Sequence, residues 1–227
     1  MFLDVWPISL CPDTPAAEDE SVLSAEERQR AARFHFAKHA VRYRVCHAKM
    51  RQILSRYLEI PASQVELTHR STGKPLLADD SDLRFNLSHS GDLALLAVTT
   101  GMEVGVDVEA IRDDLSVDGL ARFFTAAERD SLTAMSPHER VRTFFQWWTR
   151  KEAVLKADGS GLSGGLDRLD ISECPPGLVH FPADGEQWWR VADLDVEPGY
   201  TAAVAGPPGE WRVRWRRLND IGSEIGV

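Results

Sequence analysis

The sequence predicts an α+β fold, and three observations predict it. Each half of the chain runs through long helical stretches and then returns as β-hairpins. The two halves end alike, on Gly91-Asp92-Leu93-Ala94-Leu95-Leu96-Ala97-Val98 and on Gly199-Tyr200-Thr201-Ala202-Ala203-Val204-Ala205, apolar strands that follow turns. The length of 227 residues exceeds the ~100–150 of one compact domain, which leaves one large domain or two small ones. Together they are compatible with a duplicated α+β half of about 105–120 residues.

The elements follow in order. Ser24 with Glu27 three residues on is a capping box, and neither Pro nor Gly appears until Pro61, so a helix is expected over about 25–58. Strands are expected near 65–70, 84–88, 93–99 and 102–109, then one or two helices within 116–136 and another over about 138–157, closed by Gly159-Ser160-Gly161. Further strands are expected near 168–172, 187–195, 200–205 and 211–217. Stretches rich in Gly, Pro, Ser or acids at 12–20, 72–82, 159–165 and 174–185 separate them.

Composition excludes several function classes. No run approaches the ~18 apolar residues of a membrane span, and Asp4 and Pro7 interrupt a start that lacks the basic and apolar regions of a secretory signal. Cys11, Cys46 and Cys174 are widely spaced, which suits a reducing cytoplasm and excludes a disulfide framework or a CxxC metal knuckle. The net charge of −9 argues against nucleic acid as a partner. That charge is uneven: residues 1–105 carry −2 and residues 106–227 carry −7. Between Arg28 and Arg56 lie nine Lys or Arg, with His35, His39 and His47, and no acid. On a helix Arg42, Lys49 and Arg56 form one stripe, either a solvated basic face or a surface that meets an anion.

Three short motifs carry chemistry. In Gly105-Val106-Asp107-Val108-Glu109 the alternation of a strand puts Val104, Val106 and Val108 on one face and Asp107 and Glu109, ~7 Å apart, on the other. Such a pair is either a wet strand edge or a site that wants a cation between its charges. Trp148, Glu152 and Lys156 share one helix face at i, i+4 and i+8, which is either a surface ion pair worth ~0.3–0.5 kcal/mol or part of a site. Ser88, His89 and Ser90 end a strand after Gly73-Lys74-Pro75, where hydroxyls, imidazole and turn amides suit a phosphate, or simply satisfy a turn. There is no GxxxxGK[ST], GxGxxG or GxSxG, so P-loop, Rossmann and serine-hydrolase sites lack support.

Taken together, Phe85-Asn86-Leu87-Ser88-His89-Ser90, Gly105-Val106-Asp107-Val108-Glu109 and Trp148-Thr149-Arg150-Lys151-Glu152-Ala153-Val154-Leu155-Lys156-Ala157-Asp158-Gly159-Ser160-Gly161-Leu162 resemble the three signatures of the 4′-phosphopantetheinyl transferases. Their order and spacing are similar to the larger, pseudo-dimeric subclass that activates secondary-metabolite synthetases. Arg33-Phe34 with Arg42, Gly73-Lys74-Pro75 and Arg122-Phe123-Phe124 extend the likeness over most of residues 24–162.

The resemblance implies two similar halves related by pseudo-twofold symmetry, 1–105 and 106–227, each a long helix packed on a small antiparallel sheet, with coenzyme A in the shared cleft of a cytoplasmic monomer. It implies Mg²⁺, or Mn²⁺, held by Asp107, Glu109 and Glu152, an oxygen shell that a hard cation favours. A carrier-protein serine would attack the coenzyme A pyrophosphate, giving phosphopantetheinyl-serine and 3′,5′-ADP, with Glu152 as base, Lys156 offsetting charge on the departing phosphate and Glu128 as a helper. Arg42, Lys74, Ser88 and His89 would hold the 3′-phosphate and adenosine end, and Lys151 the pyrophosphate side. Carrier docking is expected near Leu120 to Phe124. Acyl or peptidyl carrier proteins of polyketide, non-ribosomal peptide or fatty-acid pathways are the implied partners. A Mg²⁺-dependent phosphohydrolase and a non-catalytic coenzyme A-binding module are the alternatives.

Overall fold

A computed structural model describes residues 1–11, 20–161, 165–171, 177–183 and 185–217. Leu162, Cys174 and most of the 12–20 stretch lie outside the described residues. The elements are β1 (Phe2–Ser9), α1 (Ala25–Ala32), α2 (Ala37–Leu58), β2 (Leu67–His69), β3 (Pro75–Leu77), β4 (Leu83–Ser90), β5 (Leu93–Thr100), β6 (Gly105–Ala110), α3 (Ala126–Ala134), α4 (Pro137–Asp158), β7 (Leu178–Ala183), β8 (Gly185–Asp193), β9 (Tyr200–Gly206) and β10 (Arg212–Trp215). The fold is mixed α+β. One four-stranded sheet runs β10-β1-β5-β4, a second runs β6-β9-β8-β7, and β2 and β3 form a separate hairpin.

Long helices cover the sheets. On α2, Val45, Cys46, Met50, Ile53 and Leu54 pack against Phe85, Leu96 and Val98 of the first sheet. On α4, Phe144, Phe145, Val154 and Leu155 pack with Val191, Ala203 and Ala205 of the second. A third cluster joins the sheets, setting Leu3, Val5 and Leu95 against Val104, Val106, Val108 and Val204. The capping box of Ser24 and Glu27 starts α1, and Ser136 with Glu139, followed by Pro137, starts α4. Gly159 ends α4 at φ +86°, a left-handed conformation that glycine adopts without steric cost. Gly105 allows the closest helix-to-sheet approach, because a Cβ there would lie 2.0 Å from the Ala153 carbonyl oxygen of α4.

Several expectations need correction. The helix expected over 25–58 is two helices, since the chain leaves helical geometry after Arg33 and Phe36 is extended at φ −102°, ψ 128°. Phe-His-Phe is a run of modest helix formers, and Phe34 turns back over Tyr43 with ring centroids 5.5 Å apart. No strand forms near 168–171: Leu166–Arg168 is a single 3-10 turn, and Leu169 and Ile171 are instead buried in the core. Of the two readings of Ser88-His89-Ser90, the strand end holds rather than the turn: β4 runs to Ser90, so these side chains alternate in direction. Strands β1, β3 and β7 are additions to the expected set. Finally, β10 does not join the sheet formed by the strands nearest it in sequence, but pairs in parallel with β1, Phe2 opposite Arg212.

Candidate active site

Strand alternation builds the centre of the site. With Val104, Val106 and Val108 buried, Asp107 and Glu109 point the other way, toward β4 and α4. Strands β4 and β6 belong to different sheets, and side chains bridge them. The Val106, Val108 and Ala110 amides donate to Asn86 Oδ1 at 2.8 Å, Ser88 Oγ at 3.4 Å and Ser90 Oγ at 3.1 Å. The two hydroxyls donate onward, Ser88 to Asp107 Oδ1 at 2.8 Å and Ser90 to Glu109 Oε2 at 2.7 Å.

Helix α4 brings the remaining charges. Lys156 Nζ donates to Asp107 Oδ1 at 2.6 Å, to Ser88 Oγ at 2.9 Å and to the Val106 carbonyl at 3.3 Å. Glu152, one helical turn earlier, is buried, and its Oε1 has no hydrogen-bond partner among the described residues. Asp107 Oδ2 is buried and unpartnered in the same sense. Burial first, and then the Asp107 carboxylate, push Glu152 up to about 7, with the Lys156 charge working against them. Glu109 is also raised, chiefly by burial, while its hydrogen bond from Ser90 acts in the opposite direction. Leaving carboxylate oxygens buried and bare is costly, so Asp107 Oδ2 and Glu152 Oε1 suit a bound cation. Among the described residues no three acidic, imidazole or thiol side chains converge closely enough to complete a metal shell alone.

On the other face of β4, His89 lines a cavity of 690 Å³ together with Arg30, Tyr43, His47, Gly73 and Pro75. Burial, and next the Lys156 charge, depress the His89 pKa. Tyr43 and His47 stack with centroids 4.0 Å apart, and the Arg30 guanidinium sits 5.6 Å from the Tyr43 centroid. Nothing in the sequence pattern sets Arg30, Tyr43 and His47 apart from their neighbours. The signal available was the acid-free basic segment, but a break between α1 and α2 decides which of its residues turn inward.

The other expected site residues have partners of their own. Lys151 is fully buried and bonds Glu128 Oε2 at 2.5 Å and the Leu166 carbonyl at 2.8 Å, so neither it nor Glu128 faces an open surface. Glu128 is further occupied by the Thr125 and Ile171 amides. Lys74 is buried, with its Nζ on Glu103 Oε2 at 2.9 Å and on the Val104 and Ala157 carbonyls, both at 3.2 Å. Its neighbours Gly73 and Pro75 line the cavity instead. Arg42 is paired with Asp92 at 2.5 Å. Ser88 is turned to Asp107 and Lys156, away from the His89 cavity. Near the expected docking segment, Phe124 is buried under α4 with its ring 4.6 Å from Lys151 Nζ.

Comparison with known proteins adds an independent line. A family model described as the 4′-phosphopantetheinyl transferase superfamily matches residues 103–205, and one described as 4′-phosphopantetheinyl transferase, N-terminal, matches residues 16–101. The 4′-phosphopantetheinyl transferase HetI of Nostoc sp. is 35% identical over 219 residues, 93% of this chain and 90% of its own length. The 4′-phosphopantetheinyl transferase Sfp of Bacillus subtilis is 29% identical over 198 residues, 85% of this chain and 88% of its own. The L-aminoadipate-semialdehyde dehydrogenase-phosphopantetheinyl transferase of Xenopus laevis is 30% identical over 203 residues, 79% of this chain and 67% of its own. A likeness of this extent means that the chain belongs to the 4′-phosphopantetheinyl transferase superfamily.

Proposed function

We propose that this enzyme transfers the 4′-phosphopantetheine group of coenzyme A to a serine of an acyl or peptidyl carrier protein and releases 3′,5′-ADP. The observation that carries the reading is the convergence of Asp107, Glu109, Glu152 and Lys156 from β6 and α4, with two buried carboxylate oxygens unpartnered among the described residues. Asp107, Glu109 and Glu152 would hold Mg²⁺. When bound, the ion would neutralise and polarise the pyrophosphate of coenzyme A.

The protein groups divide the remaining work. Glu152, buried beside Asp107 on α4, would accept the serine proton directly or through a water. Lys156 places an ammonium where charge develops on the departing phosphate. His89, with Arg30 and His47 in the same cavity, would take the 3′-phosphate end. In this reading residues 1–105 and 106–227 are two halves related by a pseudo-twofold axis, forming one cleft in a monomer. Support comes from topology: each half offers a 22-residue helix, and β1 beside β5 in the first sheet matches β6 beside β9 in the second, with β10 of the second half added at the edge of the first sheet. Among the described residues no helix is long and apolar enough to cross a membrane.

Incubation with coenzyme A, Mg²⁺ and an apo-carrier protein, read by intact mass, tests the function. The expected result is a carrier heavier by one phosphopantetheine. Release of 3′,5′-ADP with no mass gain on the carrier would establish hydrolysis instead, and binding without either product would leave a non-catalytic module.

A further inference from the structure

Asn86, Ser88 and Ser90 occupy alternate positions of β4, and each accepts one backbone amide of β6, from Val106, Val108 and Ala110 in turn. The three rungs differ in what else they do. Asn86 Oδ1 only accepts. Ser88 and Ser90 each spend their single hydroxyl proton on a carboxylate, which is the donation left to a hydroxyl whose lone pair is already taken by an amide. Asp107 has a second anchor, the Lys156 ammonium at 2.6 Å. Glu109 has none of that kind: among the described residues its carboxylate forms no ion pair, and the hydrogen bond it receives comes from Ser90 at 2.7 Å.

We infer that Ser90 is a positioning residue, which fixes the rotamer of Glu109 so that this carboxylate faces the cation beside Asp107. The inference rests on the reading of Asp107 and Glu109 as metal-holding groups and adds the element that sets their geometry. Ser90 does not line the His89 cavity; it acts through Glu109. A carboxylate freed of its one orienting donor samples more rotamers, and the cost falls on ion affinity rather than on the chemical step.

The test is titration of the full-length protein with Mn²⁺ by calorimetry, paired with the Mg²⁺ concentration giving half-maximal transfer. Ser90→Ala is expected to weaken Mn²⁺ binding about 10-fold and to raise the Mg²⁺ half-saturation in parallel, with turnover at saturating Mg²⁺ within a few-fold of wild type. Ser90→Thr keeps the hydroxyl and is expected to restore both. Asn86→Ala loses an amide acceptor without touching a carboxylate, so it is expected to lower the unfolding temperature while leaving both metal curves in place. Should Ser90→Ala not fold, Ser90→Cys, similar in shape but a weak donor, is titrated instead. Wild-type metal curves in the Ser90 variant, with Mn²⁺ binding lost in Asp107→Ala, overturn the role of Ser90. Wild-type Mn²⁺ binding by Asp107→Ala overturns the metal reading itself, and the inference with it, whatever Ser90→Ala does.

Discussion

At Glu152 function and stability pull in opposite directions. Its carboxyl is buried, Oε1 is bare among the described residues, and the Asp107 carboxylate adds to the effect of burial, so the ionised side chain weakens the apo fold. Glu152→Gln removes the charge and the proton acceptor at nearly constant volume. The expected outcome is a loss of transfer of about 10²–10⁴-fold, the usual contribution of a general base, with an unfolding temperature no lower than wild type by calorimetry in chelator. A clear drop in unfolding temperature would mean that Glu152 holds the fold together. Glu27 is the opposite case. Burial acts to raise its pKa, but hydrogen bonds from His47, the Ser24 amide and Arg51 outweigh it and hold the carboxyl down to about 2. A depressed carboxylate contributes stability in full above its unfolded value near 4.5 and loses it as the pH falls toward 2. Between those limits the wild-type unfolding temperature should fall more steeply with acid than that of Glu27→Gln, and parallel curves would show that Glu27 contributes nothing through its charge.

Among the elements, β6 and α4 matter as a pair, because the site exists only while Lys156 and Glu152 stay over Asp107. Their approach depends on Gly105, where a Cβ would lie 2.0 Å from the Ala153 oxygen and 2.3 Å from the Ala157 nitrogen, both backbone atoms that cannot swing aside. Gly105→Ala must therefore push helix and strand apart. Overpacking of this kind costs ~1–3 kcal/mol or more, and here the displacement also lengthens the 2.6 Å contact from Lys156 to Asp107. Loss of transfer below the unfolding transition, together with a lowered transition, is the expected result; full activity in a merely destabilised variant would show that the site tolerates a shifted α4. The buried pair of Lys151 and Glu128 serves the same helix from its other side, tying it to the Leu166 carbonyl and the Ile171 amide.

For the whole molecule, spacing within an element was readable and pairing between elements was not. The period of two in β6 puts Asp107 and Glu109 on one face, that of 3.6 in α4 puts Glu152 and Lys156 on one face, and Lys156 reaches Asp107 at 2.6 Å. Spacing is silent about what stands opposite a face. Lys151 lies one residue from Glu152, about 100° around the helix, and so enters the core. Strand β1 escaped notice because Leu3, Val5, Trp6 and Ile8 are all buried, which hides the alternation, while Asp4 and Pro7 look like breakers. Asp4 is tolerated there because Arg214 of β10, 210 residues away, pairs with it at 2.6 Å, a partner no local pattern announces. Lys74 is the sharpest case, since Gly73-Lys74-Pro75 suggests a phosphate contact, yet its Nζ joins the β2–β3 hairpin to Glu103, to Val104 before β6 and to Ala157 at the end of α4. The two roles make different predictions for Lys74→Met. As a tie between distant elements, the lysine leaves buried carbonyls unsatisfied when removed, so denaturant unfolding should show a loss of ~1–3 kcal/mol or more, with the KM for coenzyme A changed little. As a phosphate ligand it would raise that KM steeply while leaving the unfolding midpoint near wild type, and that pattern would return Lys74 to the binding site.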